Sequence, residues 1–254
     1  MLLKTNLHFH TNDDPVERAF IKYNSFEAVD EAAAKGFEVL AFTLHNLFHF
    51  PAELVEYAKG KNILLIPGIE KTIEGRHVLI LNADKSSEQI ETFADLTHYR
   101  AVKKDIFVIA PHPFFYGNIS LKEKLAEHFQ LFDAIEHSWF YTRFFNRNKQ
   151  GEKLAKQYGL PFVALSDTHK FCLLENSYAV IDAKEKTTEA VFEAIRARAF
   201  ENKTKPASFY EIFSVLWTIL FNAGELSIRK TFSAKNKVSE KEESMASEPA
   251  QESQ

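Results

Sequence analysis

The feature that most constrains this chain is an alternation. Short apolar runs of strand length are separated by stretches of helical periodicity, and run after run ends at a histidine or a carboxylate. The apolar runs cover residues 2–7, 37–43 (FEVLAFT), 62–67 (NILLIP), 76–81 (RHVLIL), 106–110 (IFVIA), 132–135, 160–165 (LPFVAL) and 178–181. Helical stretches lie between them. The first is capped by Asn24 or Ser25 and ends at Gly36, the second opens at Pro51 and ends at Gly60, and others cover residues 121–129, 146–158 and 187–200. Residues 86–104 read as helical with an irregular middle. Parallel neighbours in a sheet need crossover connections, so the pattern predicts an α/β fold with a largely parallel sheet.

In closed barrels of this kind function collects at the C-terminal ends of the strands. His8, His10, His45, Glu70, His112, Glu136, Asp167 and His169 all fall there. Residues two apart on an extended strand point the same way, so His8 and His10 can aim both imidazoles at one point. His77 is the exception, since it starts its strand, and a hairpin from Glu70 is needed to return it to the same end. Singly, each residue has a bland reading: a turn pair for His8 and His10, a cap for Glu70 or Asp167, an exposed strand position for His77. Their joint placement is what opposes those readings.

The set of His8, His10, His45, Glu70, His77, His112, Asp167 and His169 is too large for one tetrahedral zinc. Imidazole and carboxylate ligands suit Zn, Mn or Fe, and this number predicts at least two ions sharing a bridging carboxylate. Closely spaced ions favour hydrolysis of a phosphoester, because they bind its oxygens and lower the pKa of a water. Ser166, Asp167 and His169 lack the GxSxG elbow of a serine hydrolase.

The ordered motifs LHFHT, FTLHN, PGIE, HVLIL, APHPF and SDTHK resemble those of the polymerase and histidinol phosphatase (PHP) superfamily of metal-dependent phosphoesterases, over residues 5–200. The resemblance implies a distorted (β/α)7 TIM-like barrel holding two or three divalent metal ions, with substrate phosphate bound over them. Carried over, His8 and His10 are ligands, Glu70 is the bridging carboxylate, and His45, His77, His112, Asp167 and His169 complete the shell, with Glu70, Asp167 and His169 closest to catalysis. The family's loop aspartate is either Asp13 or Asp14, with Asp13 favoured as the freer ligand because Pro15 restrains Asp14. Leu44 stands where the family has an aspartate, which removes a hydrogen bond that would orient His45. Arg143 and Lys170 are candidates for the substrate phosphate, with Arg147 as a further one. The function implied is hydrolysis of a small phosphorylated metabolite or nucleotide by metal-activated water; the alternative, whose main support is Leu44, is a non-catalytic metal-binding scaffold that docks a partner through its apolar C-terminal segment.

Composition sets the outer bounds. The 254 residues are 45% hydrophobic, ample for one barrel-sized core, and the formal charge of -4 argues against an extended nucleic-acid surface. The single cysteine, Cys172, forms no internal disulfide, and the start of the chain lacks a signal-peptide pattern, so a cytoplasmic location is expected. The barrel is assigned to residues 1–207. Residues 208–233 form an apolar C-terminal segment, whose 208–221 stretch is too short for the ~20 residues that span a bilayer and must be buried on the barrel, against a second copy as an oligomer contact, or at a membrane surface. Residues 234–254, rich in Lys, Glu, Ser and Gln, read as a disordered tail.

Overall fold

The structure is a computed structural model that describes residues 1–115 and 117–213. It divides into two compact units, Met1–Ala207 and Ser208–Gln254. Most of the expected apolar C-terminal helix and all of the expected disordered tail lie outside the described residues.

In the first unit, strands β1 (Leu2–Phe9), β2 (Val39–Phe42), β3 (Leu64–Leu65), β9 (Ser177–Asp182) and β10 (Phe200–Thr204) form one sheet in the order β10-β9-β1-β2-β3. Strands β4 (Gly68–Ile73), β5 (Arg76–Leu81), β6 (Phe107–Ala110), β7 (Ala134–Ser138) and β8 (Phe162–Leu165) form a second in sequence order. The pairs β1/β2, β2/β3, β6/β7 and β7/β8 are parallel, whereas β4/β5, β5/β6, β1/β9 and β9/β10 are antiparallel. The α/β class holds, but the barrel expectation does not: among the described residues the sheets stay separate instead of closing into one barrel. Two isolated parallel bridges, Phe9 with Thr168 and His45 with Glu70, link them. Both bridges fall at the strand ends that carry the predicted ligands.

Local chemistry explains the helices. Helix α1 (Ser25–Ala34) starts at a capping box of Asn24 and Glu27, and α3 (Phe93–Val102) at one of Thr92 and Asp95. Helix α2 (Ala52–Gly60) follows Pro51, and α5 (Asn148–Tyr158) stops at Gly159, whose φ of 69° is the left-handed geometry glycine adopts freely. Helix α4 (Glu123–Glu127) is a single turn, shorter than its apolar pattern suggests, and α6 (Thr188–Arg196) is capped by Thr187. Residues 197–200 leave the helix that the sequence extends to Phe200, and the chain returns as β10 instead.

Three cores follow. Leu3, Leu7, Val39, Ala41, Leu79, Phe107 and Ile109 from both sheets pack together with α6, where Phe192 stacks on Phe107 at 4.7 Å between ring centroids. One outer core lies under α1 and α2, the other under α3, α4 and α5.

A register shift in β1 aims the first two histidines. Leu3 and Leu7 belong to the shared core, so strict alternation would send Phe9 there too and His8 and His10 the other way. The pairing with β2 slips between Asn6 and Phe9, a bulge that inserts one residue. Phe9 therefore packs in the outer core against Phe42 and Tyr23, and both imidazoles face inward.

Candidate metal centre

Glu70 is the centre of the site. It sits two residues into β4, where the bridge to His45 ties it to the first sheet: the Glu70 amide donates to the Leu44 carbonyl and the Asn46 amide to the Glu70 carbonyl. Its carboxylate is 1% exposed. Oε2 faces His8 Nε2 at 3.4 Å, His10 Nε2 at 3.3 Å and His45 Nε2 at 3.1 Å. Oε1 faces His77 Nδ1 at 2.9 Å and His112 Nε2 at 3.2 Å. The β4/β5 hairpin, which opposes Thr72 to His77, carries His77 back to the strand ends as its position demands.

Asp167 completes the inner group, with Oδ1 3.3 Å from both His8 Nε2 and His10 Nε2. Asp167 and His112 adopt φ of 44° and 28°, left-handed values that side chains other than glycine seldom take. Each follows the end of a parallel strand, and strain of this kind persists where the surroundings enforce it.

An outer ring orients these groups. Glu136, in the middle of β7, holds His8 Nδ1 at 2.8 Å. Asp14 Oδ2 accepts from the His45 amide at 2.8 Å and meets its Nδ1 at 3.0 Å. The orienting bond that Leu44 cannot provide comes from Asp14, while Leu44 itself is fully buried. Glu17 lies 3.3 Å from His10 Nδ1 and 2.8 Å from His169 Nε2, and the His169 ring stacks on His10 at 4.3 Å. The other ring nitrogen of His169, Nδ1, is 2.9 Å from the Asp167 carbonyl oxygen.

Of the two loop aspartates, Asp14 rather than the favoured Asp13 stands with the cluster. Its carboxylate accepts from Thr11 Oγ1, from the Ser25 amide and from Ser25 Oγ, and so fastens the loop to the start of α1. Asp14 turns toward the cluster, because its Oδ1 takes the Val16 amide and its Oδ2 is left for His45. We expect Asp14→Asn to weaken metal affinity by about 10–100-fold, the usual cost of losing a partner of a ligating histidine. Asp13→Asn should leave affinity intact and lower stability by about 1 kcal/mol. Metal titration beside thermal unfolding of both variants separates the roles.

Glu17 was not anticipated, nor was the contact of Glu136 with His8. Glu17 lies off the strands in a polar loop, and only the fold brings it to His10. Arg143 is exposed, and Lys170 is half-buried one residue past His169. Neither lines the cleft that opens beside His112 and Glu136; the cation there is Arg147.

Electrostatics reflect the crowding. Burial disfavours charge on Glu70, yet His77, His8 and His45 hold it well below the ordinary carboxylate range. Asp167 is likewise held down against burial by His8 and His169, and Glu17 by His169 and His10. Burial also disfavours charge on His8 and His45, but the facing carboxylates prevail and push both up to about 10. His77 goes the other way, because burial outweighs Glu70.

The donor set fits divalent cations. His8 Nε2, both nitrogens of His10, His112 Nδ1 and Glu17 Oε2 are buried without a hydrogen-bond partner. Atoms of this kind are costly unless something satisfies them. Four groups bring three or four potential ligand atoms within 4.8 Å of one another: His8, Glu70 and His112; His8, His10 and Asp167; His45, Glu70 and His77; and His10, Asp14, Glu17 and His45. His8, His10, His45 and Glu70 each belong to two of these groups. Such a donor set suits ions of the Zn, Mn or Fe type.

Residues 145–200 match the family described as PHP-associated. No curated protein matches the chain. Among solved structures, a two-domain protein from Bacteroides vulgatus containing a predicted PHP-like metal-dependent phosphoesterase has a TM-score of 0.63 at 18% identity, covering 80% of this chain and 65% of its own. The chain thus spans about two thirds of that protein's length. A lesion-specific endonuclease from Pyrococcus furiosus has a TM-score of 0.57 at 14% identity, with coverage of 85% and 66%. PsfC from Pseudomonas syringae has 0.56 at 14%, with 88% and 98%. The PHP-associated match falls on the segment that supplies α5, β8, Asp167 and His169, and the fold is shared with the first two of these structures over 80% and 85% of the chain.

Proposed function

We propose that the protein is a metal-dependent phosphoesterase that hydrolyses a small phosphorylated metabolite or a nucleotide. The observation that carries this reading is Glu70, a buried carboxylate whose two oxygens face two separate sets of imidazoles. Glu70, His8, His10 and Asp167, with His45, His77 and His112, would hold two or three ions of the Zn, Mn or Fe type. Ions bound there supply charge neutralisation for a phosphate and a water of lowered pKa.

The chain's own residues prepare the site. A proton on His8 Nδ1 is held by Glu136 and one on His45 Nδ1 by Asp14, which leaves Nε2 of each ring as the ligand atom. Burial of His8, His10 and Glu70 keeps bulk water from the floor, where electrostatic interactions are stronger. His169, its side chain 34% exposed, stands at the open side with its imidazole held between Asp167 and Glu17. The alternative of a non-catalytic scaffold rested on Leu44, and Asp14 takes over the orienting role missing there.

The test is metal analysis of the purified protein followed by Mn-dependent hydrolysis of mononucleotides, 3',5'-bisphosphates, sugar phosphates and short oligonucleotides. Retained divalent metal and release of phosphate from at least one class are expected. Bound metal with no turnover on the whole panel would favour the scaffold, and strong inhibition by inorganic phosphate would separate a phosphoesterase from a C–N hydrolase.

A further inference from the structure

Asn6 of β1 and Ser166 and Thr168 of the turn after β8 are polar and fully buried, and together they join the two sheets beside the cluster. The Asn6 amide is saturated. Its Oδ1 accepts the His8 and Ser166 amides, each at 3.3 Å, and its Nδ2 donates to Ser166 Oγ and, at 3.4 Å, to Thr168 Oγ1. Those four bonds use both lone pairs and both N–H groups of the carboxamide. The two hydroxyls also bond each other. The backbone of the turn is fastened to the same strand: the Thr168 amide donates to the His8 carbonyl at 3.2 Å, while the Thr168 carbonyl accepts the His10 amide at 3.1 Å and the Tyr23 hydroxyl at 3.3 Å.

Asp167 lies between the two pinned residues. Ser166 and Thr168 give their hydroxyls to Asn6, and the Asp167 carboxylate reaches His8 and His10 at 3.3 Å. Its φ of 44° belongs to a sparsely populated region, which a residue keeps only where its neighbours fix it. We propose that Asn6 is a positioning residue: by holding Ser166 and Thr168 it keeps Asp167 in its left-handed conformation, aimed at His8 and His10, and so sets how tightly these three residues hold an ion. The proposal rests on the cluster being the metal centre of the phosphoesterase reading, and concerns ligand placement instead of turnover. An apolar residue of the same size cannot replace the amide, because two hydroxyls and two backbone N–H groups then lose a buried partner and the turn relaxes to recover one. Asn202 provides the comparison. From β10 its amide bonds the Ala164 amide and the Phe162 carbonyl of β8, both at 2.8 Å, so it also joins the sheets but carries no turn that bears a ligand.

The experiment titrates the chelated full chain with Mn by calorimetry and with Co by absorption, in the wild type, Asn6→Leu and Asn202→Leu, beside thermal unfolding without metal. Asn6→Leu is expected to weaken one ion by about 10–100-fold, the usual cost of losing support behind a ligand, and to leave any other near wild type. Asn202→Leu is expected to lower the unfolding temperature and keep wild-type affinity. Thr168→Val and Thr168→Ser decide the matter where Asn6→Leu does not fold: valine keeps the shape without the hydroxyl and weakens the same ion, and serine restores it. Wild-type affinity in folded Asn6→Leu, or in Thr168→Val, overturns the proposal, and so does an equal loss of affinity in Asn202→Leu. Loss of one ion in Asn6→Leu with no hydrolysis of phosphoesters by the wild type supports the positioning role and sinks the catalytic reading. Hydrolysis by the wild type with unaltered affinity in Asn6→Leu overturns the positioning role alone.

Discussion

Replacing Glu70 by glutamine is expected to remove most of the divalent metal and to lower hydrolysis by at least about 10²–10³-fold, more than the 10–100-fold that accompanies loss of a partner behind a ligand. The side chain keeps its size, so the effect isolates the charge. Five imidazoles, those of His8, His10, His45, His77 and His112, face this one carboxylate. An amide in its place offers a neutral oxygen on one side and N–H donors on the other, and the imidazoles on that side lose their acceptor. Metal content by elemental analysis and Mn-dependent activity are the measurements. Glu56→Gln, an exposed change in α2, serves as the control. Full activity in a protein carrying both His10→Ala and Glu70→Ala would end the assignment.

The second large effect is a pH dependence that metal reverses. In the chelated protein His8 and His45 have pKa values raised from 6.5 to about 10. Groups raised in this way contribute stability that is fully present below pH 6.5 and is lost as pH climbs toward 10. Glu70, Asp167 and Glu17 are lowered from ordinary values of 4.5, 3.8 and 4.5, so their contribution is present above that range and is lost as pH falls through their folded values. Stability of the chelated protein should therefore peak between about pH 5 and 6.5, by the same linkage. A loss of ~2 kcal/mol on going to pH 9 lowers the unfolding temperature by roughly 4–8 °C. Divalent ions need the same imidazoles without their ligand-side protons, so added Mn or Zn should raise the unfolding temperature more at pH 8 than at pH 6, with protons released on binding. Thermal scans across that range, with and without metal, read both signs. A chelated protein that is as stable at pH 9 as at pH 6 would show that the carboxylates do not hold the histidines protonated.

The alternation of apolar runs and capped helices was enough to predict an α/β protein, because burial and capping act locally and leave periodic marks. The strand ends carrying His8, His10, His45, Glu70, His112, Asp167 and His169 could be listed for the same reason. Closure could not be predicted. Strand β10, with the sequence FENKT and no buried side chain, carries no apolar signal, yet together with β9 it turns the first sheet antiparallel on one side of β1. The bulge in β1 was equally hidden. Two histidines spaced two apart are known from the sequence to share a face, but which face depends on one inserted residue in the pairing with β2.

The same division runs through the site. Residue types that can bind metal were legible as a set, since their joint placement near strand ends opposes the bland reading that each has singly. The choice between Asp13 and Asp14 was not, because it depends on which carboxylate the start of α1 claims, and Ser25 takes Asp13. Nor was Glu17, which meets His10 and His169 only through the loop after β1; of the cations named from the sequence, Arg147 lines the cleft and Arg143, the preferred one, does not. Sequence by itself determined the kinds of groups and the ends of the elements that bear them, since those follow from local propensity and burial. Tertiary structure decided which groups meet, because contacts between residues far apart in the chain depend on register, turn geometry and competition for the same hydrogen bonds.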